Sequence, residues 1–388
     1  MVKVLVMMGT RPEAIKLAPV VRELKAHPQR FDCLVGASGQ HDELLRQALE
    51  PFELTPDFDL KLMRPGQELT RLTARLLVGV GEVLDQWRPQ LVLVQGDTTT
   101  VFTTALAAFY RGIQVGHVEA GLRTWDLRHP FPEEANRAFT DQISDFLFAP
   151  TEQSRRNLLV CGLPAERIHL TGNTVVDALQ QILASDRGQP PRGLPQHRKI
   201  VLLTAHRRES FGPALERIFQ AARRLVRLRP ELHLVYPVHP NPRVQEPARR
   251  LLGSQPNVLL LPPLDYLSFV RLMERAHFIL TDSGGIQEEA ASLHKPVLIL
   301  RDKTERMEVV QAGGALLVGS NPKRIVTEGL RLLDDPGHYQ AMSRIANPYG
   351  DGSAARKIVA ALEEHYYGRR EIHQAEEATG DRDGLAAA

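Results

Sequence analysis

Residues Lys3–Lys16 read KVLVMMGTRPEAIK. The apolar run stops at Gly9, a residue that permits a tight turn, and Pro12 then stands at a favoured first helical position. This is a strand, a turn and a helix start in fourteen residues. Outward from it the same grammar repeats along the chain. Further strands are expected at Asp32–Ala37, Leu91–Val94, Gln114–Val118, Phe146–Ala149 and Ile168–Thr171, with helical patterns such as Pro12–Ala26 and Leu69–Trp87 between them. A second series runs through Lys199–Thr204, Leu232–Tyr236, Val258–Leu261, Phe278–Thr281, Pro296–Leu300 and Ala315–Val318. Short strands alternating with longer helices predict an α/β chain with parallel sheets and crossover helices on both faces.

At 388 residues the chain exceeds what one hydrophobic core usually organises, so two domains are expected. The stretch Ser185–Arg198 (SDRGQPPRGLPQHR) has no apolar period and marks residues 185–198 as a linker. An N-terminal Rossmann-like domain is placed at 1–184, joined by the C-terminal helix 350–368. A second Rossmann-like domain is placed at 199–346, and 369–388 reads as a flexible tail.

The net charge of +2 provides no global field for nucleic acid or an anionic membrane, so any anion must be gripped locally. Cys33 and Cys161 show neither a CxxC nor a metal-ligand spacing, which fits a reducing compartment and no metal. The run Val4–Met8 is too short for a signal-peptide core, and no run approaches the roughly 20 apolar residues of a membrane span. A cytoplasmic location is expected.

Candidate chemistry gathers at strand ends. Arg11 and Lys16 stand by the first helix start, where free N–H groups suit an anion, although a basic pair there is also a common solvated face. The turn is not a GxGxxG, so no nicotinamide cofactor is inferred. Asp97 and Glu119 each follow a strand of one βαβ unit and so approach the same sheet edge. Asp97 could alternatively cap a helix, whereas a carboxylate ending a buried strand, as Glu119 does, is costly unless paired or working. Phe131–Arg137 (FPEEANR) adds Glu133 and Glu134, which could equally favour their own helix dipole. Acids in different environments are what proton abstraction and return require. In the second half, His206 ends a strand beside Arg207 and Arg208 and suits a phosphate. Thr281–Gly285 (TDSGG) then opens a helix whose start offers donors to a diphosphate, with a carboxylate a turn later for ribose hydroxyls.

Taken together, GTRPEAIK, GDTTT, HVEAGLRT, PEEANR, TGNTVVDAL, AHRRESFG and TDSGGIQEEA resemble, in order over roughly residues 2 to 366, the non-hydrolysing UDP-N-acetylglucosamine 2-epimerases. The resemblance implies a GT-B-like fold, with the active site in the cleft between two Rossmann-like domains, and a homodimer. It also implies interconversion of UDP-GlcNAc and UDP-ManNAc for cell-surface polysaccharide synthesis. It assigns acid/base work to Asp97, Glu119 and Glu133 and a phosphate role to His206. Substrate contacts fall on Arg11, Lys16, Leu264, Phe269, Ser283, Gly284, Gly285, Glu289 and Arg306. Gln40, Arg207 and His239 match a second, activating nucleotide-sugar site of relatives, from which Glu43 and Gly66 depart.

The C2 hydrogen of such a sugar is not adjacent to a carbonyl, so direct deprotonation and return is implausible. Expelling UDP from C1 as C2 loses its proton gives 2-acetamidoglucal, to which UDP re-adds with C2 protonated from the opposite face. A hydrolysing epimerase, a retaining GT-B glycosyltransferase and a non-catalytic nucleotide-sugar sensor are the rival readings.

Overall fold

The computed structural model describes residues 1–368 except 40, 41, 63, 65, 186, 197, 208 and 209, and excludes the side chains of 42–44. Gln40, the Glu43 side chain and the expected tail 369–388 therefore lie outside the described residues.

The chain begins β1 (Val2–Met8), α1 (Arg11–Ala26), β2 (Phe31–Ala37), α2 (Asp42–Leu49), β3 (Phe58–Asp59), α3 (Leu69–Trp87), β4 (Leu91–Gln95) and α4 (Thr99–Phe109). It continues through β5 (Gln114–Val118), α5 (Glu133–Gln142), β6 (Phe146–Ala149), α6 (Glu152–Val160), β7 (Ile168–Leu170) and α7 (Thr174–Ala184). The second series is β8 (Ile200–Thr204), α8 (Pro213–Leu228), β9 (His233–Pro237), α9 (Pro242–Leu252), β10 (Val258–Leu261), α10 (Tyr266–Arg275) and β11 (Phe278–Thr281). Next come α11 (Gly284–Ser292), β12 (Val297–Ile299), α12 (Met307–Gln311), β13 (Ala315–Leu317), α13 (Pro322–Asp334), α14 (Pro336–Ser343) and α15 (Ala354–Glu363).

Two compact units result. The first is Met1–Ala178 with the C-terminal stretch from Gly350, and the second is Leu179–Tyr349. The division falls inside α7, and residues 185–198, expected as the linker, belong to the second unit and carry no helix or strand where described.

The first unit has a seven-stranded sheet in the order β3-β2-β1-β4-β5-β6-β7, with every pairing parallel. The second has six parallel strands, β10-β9-β8-β11-β12-β13. Each order runs outward both ways from one central pair, β1/β4 or β8/β11, so each sheet has a topological switch point where a crevice opens beyond the strand ends. These are the two Rossmann-like units of the expected GT-B-like fold.

The central strands are apolar on both faces because helices cover both. In the first unit Leu5, Met7, Val92 and Val94 pack with Val80, Leu84, Val101 and Ala105 of α3 and α4. In the second, Val201, Leu203, Phe278 and Leu280 pack with Phe219, Leu225 and Tyr236. Full burial of each such side chain contributes about 1.5–3 kcal/mol. Strand β3 has no counterpart among the expected strands, since two residues are too short to show alternation. It pairs with the end of β2, Gly36 against Phe58, and Val35 N–H donates to Asp57 Oδ2 at 2.7 Å.

Helix α15 returns to the first unit and packs on α1. Buried Asp177 accepts from the Ala354 and Ala355 N–H groups at its start, at 3.2 and 2.9 Å. No helix among the described residues is long and apolar enough to cross a membrane.

Candidate active site

In the first unit the switch point lies between the turn after β1 and the turn after β4. At the first, Gly9 N–H donates to Glu13 Oε2 at 2.6 Å and Thr10 Oγ1 to Oε1 at 2.8 Å, so α1 begins on a carboxylate of its own first turn. Burial raises Glu13 from an ordinary 4.5 to about 7, opposed by hydrogen bonds from Gly9, Thr10 and Thr98 and assisted by Asp97.

Lys16, expected to face an anionic ligand, reaches Glu119 Oε2 at 2.6 Å, with both side chains buried. Gln95, the last residue of β4, donates to the same oxygen. Glu119 has φ 68°, a left-handed conformation uncommon for a residue with a side chain. Gly121, two residues on, has φ 88°, and a Cβ there would stand 2.3 Å from the Ser154 carbonyl oxygen.

Asp97 does not cap α4. Thr98 does, accepting from Val101 N–H at 3.4 Å, and the Asp97 carboxylate turns instead to Arg137 of α5. Arg137 also stands 3.1 Å from Glu134, whose other oxygen accepts from Thr124 and Trp125 N–H at 2.9 and 3.2 Å. Asn136 Nδ2 donates to the Asp97 carbonyl at 2.9 Å. Of the acidic pair opening α5, buried Glu134 therefore holds local structure. Glu133 is half-buried, with no hydrogen-bond or ion-pair partner among the described residues.

The second unit repeats the layout at β8/β11. Asp282 is fully buried and binds the turn after β8: its Oδ2 accepts from the His206 and Arg207 N–H groups, both at 2.8 Å. The His206 Nδ1 stands 3.4 Å from Asp282 Oδ1, and its ring stacks on His239 with centroids 5.6 Å apart. Burial pushes His206 below the usual histidine range, opposed by Asp282 and reinforced by His239 and Arg207.

Helix α11 begins at Gly284 with Ser283 at its N-cap, and Ser283 makes no side-chain cap bond. The two glycines divide the task that the sequence assigned to both. A Cβ on Gly284 would meet the Arg306 guanidinium carbon at 3.0 Å, whereas one on Gly285 would meet nothing within 4 Å. Arg306 is held by Glu288 at 3.0 Å and by Glu305 at 2.7 Å. Although burial works the other way, Arg306 and Arg301 bring Glu305 down to about 2. Glu289 accepts from Tyr266 O–H at 2.8 Å. Leu264 and Phe269 are half-buried before and within the first turn of α10.

Sequence reasoning missed Gln95, Arg137, Asp282, Tyr266 and Glu13. All but Glu13 act across the fold, and Glu13 lies inside a quoted motif but reads as a helix-start acid.

A parallel sheet edge lined by carboxylates, and a second edge with a histidine and an open glycine helix start, define a nucleotide-sugar enzyme of GT-B-like fold. A family model described as UDP-N-acetylglucosamine 2-epimerase matches residues 22–363. The UDP-N-acetylglucosamine 2-epimerase of Escherichia coli strain K12 is 52% identical over 369 residues, 93% of this chain and 98% of that protein. That of Salmonella typhimurium strain LT2 is 51% identical over 372 residues, 94% and 99% of the two chains. The crystal structure of the Neisseria meningitidis UDP-GlcNAc 2-epimerase bound to UDP-GlcNAc has a TM-score of 0.87 at 45% identity, covering 93% of this chain and 100% of that one. The chain belongs to the UDP-N-acetylglucosamine 2-epimerase family, and it is an isomerase.

Proposed function

We propose that the enzyme interconverts UDP-GlcNAc and UDP-ManNAc without hydrolysis, by eliminating UDP to 2-acetamidoglucal and re-adding it with C2 protonated from the opposite face. The observation that carries this reading is the division of chemistry between the two switch points. The first unit offers Asp97, Glu119 and Glu133 in three different settings: bound to arginine, bound to lysine and amide, and without a partner among the described residues. Such differences set acids and bases apart.

The second unit offers the grip for the leaving diphosphate. The first-turn N–H groups of α11 point along the positive end of its dipole, and the space beside Gly285 admits phosphate oxygens. His206, depressed by burial, gains its proton as an anion arrives, because an opposite charge favours the charged form. Its charged ring then stabilises the departing UDP. Glu289 with Tyr266 receives the ribose.

C–O cleavage at C1 takes the bonding pair to UDP, and the C2–H pair becomes the C1–C2 double bond. Re-addition reverses both with the proton delivered to the opposite face. The family resemblance further supports a cytoplasmic homodimer supplying ManNAc units for surface polysaccharide, and sedimentation of the purified chain checks the dimer. The reaction itself is tested with UDP-GlcNAc in D2O: deuterium enters C2 of both sugars, and product free of C2 deuterium overturns the elimination route.

A further inference from the structure

Behind the carboxylates of the first unit lies a buried ionic cluster that the reaction does not itself use. Asp141 of α5 and His117 of β5 are fully buried, and their Oδ1 and Nδ1 are 2.6 Å apart. Arg123, its side chain only 4% exposed, donates to Asp141 Oδ2 at 2.6 Å and to the Leu122 carbonyl at 2.7 Å. The cluster reaches both catalytic turns. His117 Nε2 meets the Gly96 carbonyl at 2.7 Å, one residue before Asp97, and Gly121 N–H donates to Asp141 Oδ2 at 3.3 Å, two residues after Glu119. Asn157 Nδ2 closes the second turn by donating to the Gly121 carbonyl at 2.9 Å.

We infer that His117, Asp141 and Arg123 form one positioning unit that sets the relative placement of Asp97 and Glu119, with His117 held as an imidazolium donating from both ring nitrogens. The hydrogen-bond inventory requires it. A carbonyl oxygen only accepts, and an ionised carboxylate only accepts, so a neutral ring would leave one buried nitrogen facing an acceptor without a proton. Burial alone would raise Asp141, yet His117 and Arg123 hold it below the usual carboxylate range, which keeps it an acceptor. The cluster's two cations against one carboxylate also leave positive charge behind the turns, with Cys161 beside Arg123 as the neighbouring titratable group. Charged hydrogen bonds of this kind are shorter and about twice as strong as neutral ones. The sharp left-handed turn at Glu119 is thereby fixed from behind rather than by its own carboxylate.

The inference rests on the proposed acid/base roles, and its test separates the two. Asp141→Asn keeps the shape and removes the charge. Its kcat for UDP-GlcNAc is expected to fall at least about 100-fold, with KM within about threefold, since misplacement of about 1 Å costs that much. UDP binding, measured by calorimetry, stays at the wild-type value because the second unit is untouched. Undiminished kcat, or KM and UDP binding lost together, overturns the positioning role. Independently, nitrogen-15 NMR of the histidine rings in the wild-type enzyme is expected to show both His117 nitrogens protonated. The signal is assigned with His117→Gln, or by its displacement in Arg123→Lys. One unprotonated nitrogen overturns the inference even if Asp141→Asn fails to fold. Wild-type enzyme that exchanges no C2 hydrogen in D2O removes the proposed reaction and leaves the NMR result to stand or fall alone.

Discussion

Asp97 and Glu119 bring their carboxylates to one sheet edge under different constraints. Asp97 is partly exposed and bound to Arg137; Glu119 is buried between Lys16 and Gln95. Asp97→Asn and Glu119→Gln keep size and lose the proton-accepting charge. Each is expected to lower kcat at least about 100-fold, the scale of a positioned acid or base, and steady-state turnover measures it. Glu13 supplies a different expectation. Its folded value of about 7 lies above the ordinary 4.5, so its contribution to stability is whole below about 4.5 and is lost as pH rises through 7. Glu13→Gln removes that loss. Between about pH 5 and pH 8 the stability difference should therefore move in favour of the variant by about 2–3 kcal/mol, read from denaturant unfolding at the two pH values.

Among elements, two glycine-bearing turns have different physical demands. The turn after β5 needs glycine at 121, because a side chain there would adopt a left-handed backbone and strike the Ser154 carbonyl. Gly121→Ala is expected to destabilise by at least about 2 kcal/mol. The start of α11 is the opposite case. At Gly285 a methyl group meets no protein atom within 4 Å, and alanine is the better helix former by about 0.5–1 kcal/mol. Gly285→Ala should therefore leave the fold as stable or more so while weakening UDP binding at least about tenfold, since the methyl occupies the space proposed for phosphate. Melting temperature and calorimetric UDP titration together distinguish the two glycines. Helix α5 joins both themes, carrying Arg137 to Asp97 and, one turn further along the same face, Asp141 to His117.

At the scale of the whole chain, two sheets of the same topology each place their polar residues at a switch point. The alternation of strand and helix was legible because it is local: a run such as Phe278–Thr281 is apolar, short and closed by Asp-Ser-Gly-Gly, and it forms β11 with the bounds expected. Strand β3 was not legible, because its two residues take their strand character from pairing with β2. Asp97, Glu119 and His206 were found as strand-end residues, since the carboxyl ends of parallel strands are where α/β sheets meet ligands. Their partners were hidden. Lys16 and Glu119 are 103 residues apart, Asp97 and Arg137 40, and His206 and Asp282 76. Sequence by itself therefore determined the α/β class, the strand ends and the residue types brought to them, because apolar runs and turn residues act over a few neighbours. Only the tertiary structure decided which charges pair, that Thr98 rather than Asp97 caps α4, and that Gly284 makes room for Arg306 while Gly285 faces open space. Those outcomes depend on side chains from distant strands and helices meeting at distances of about 3 Å, which no local pattern specifies.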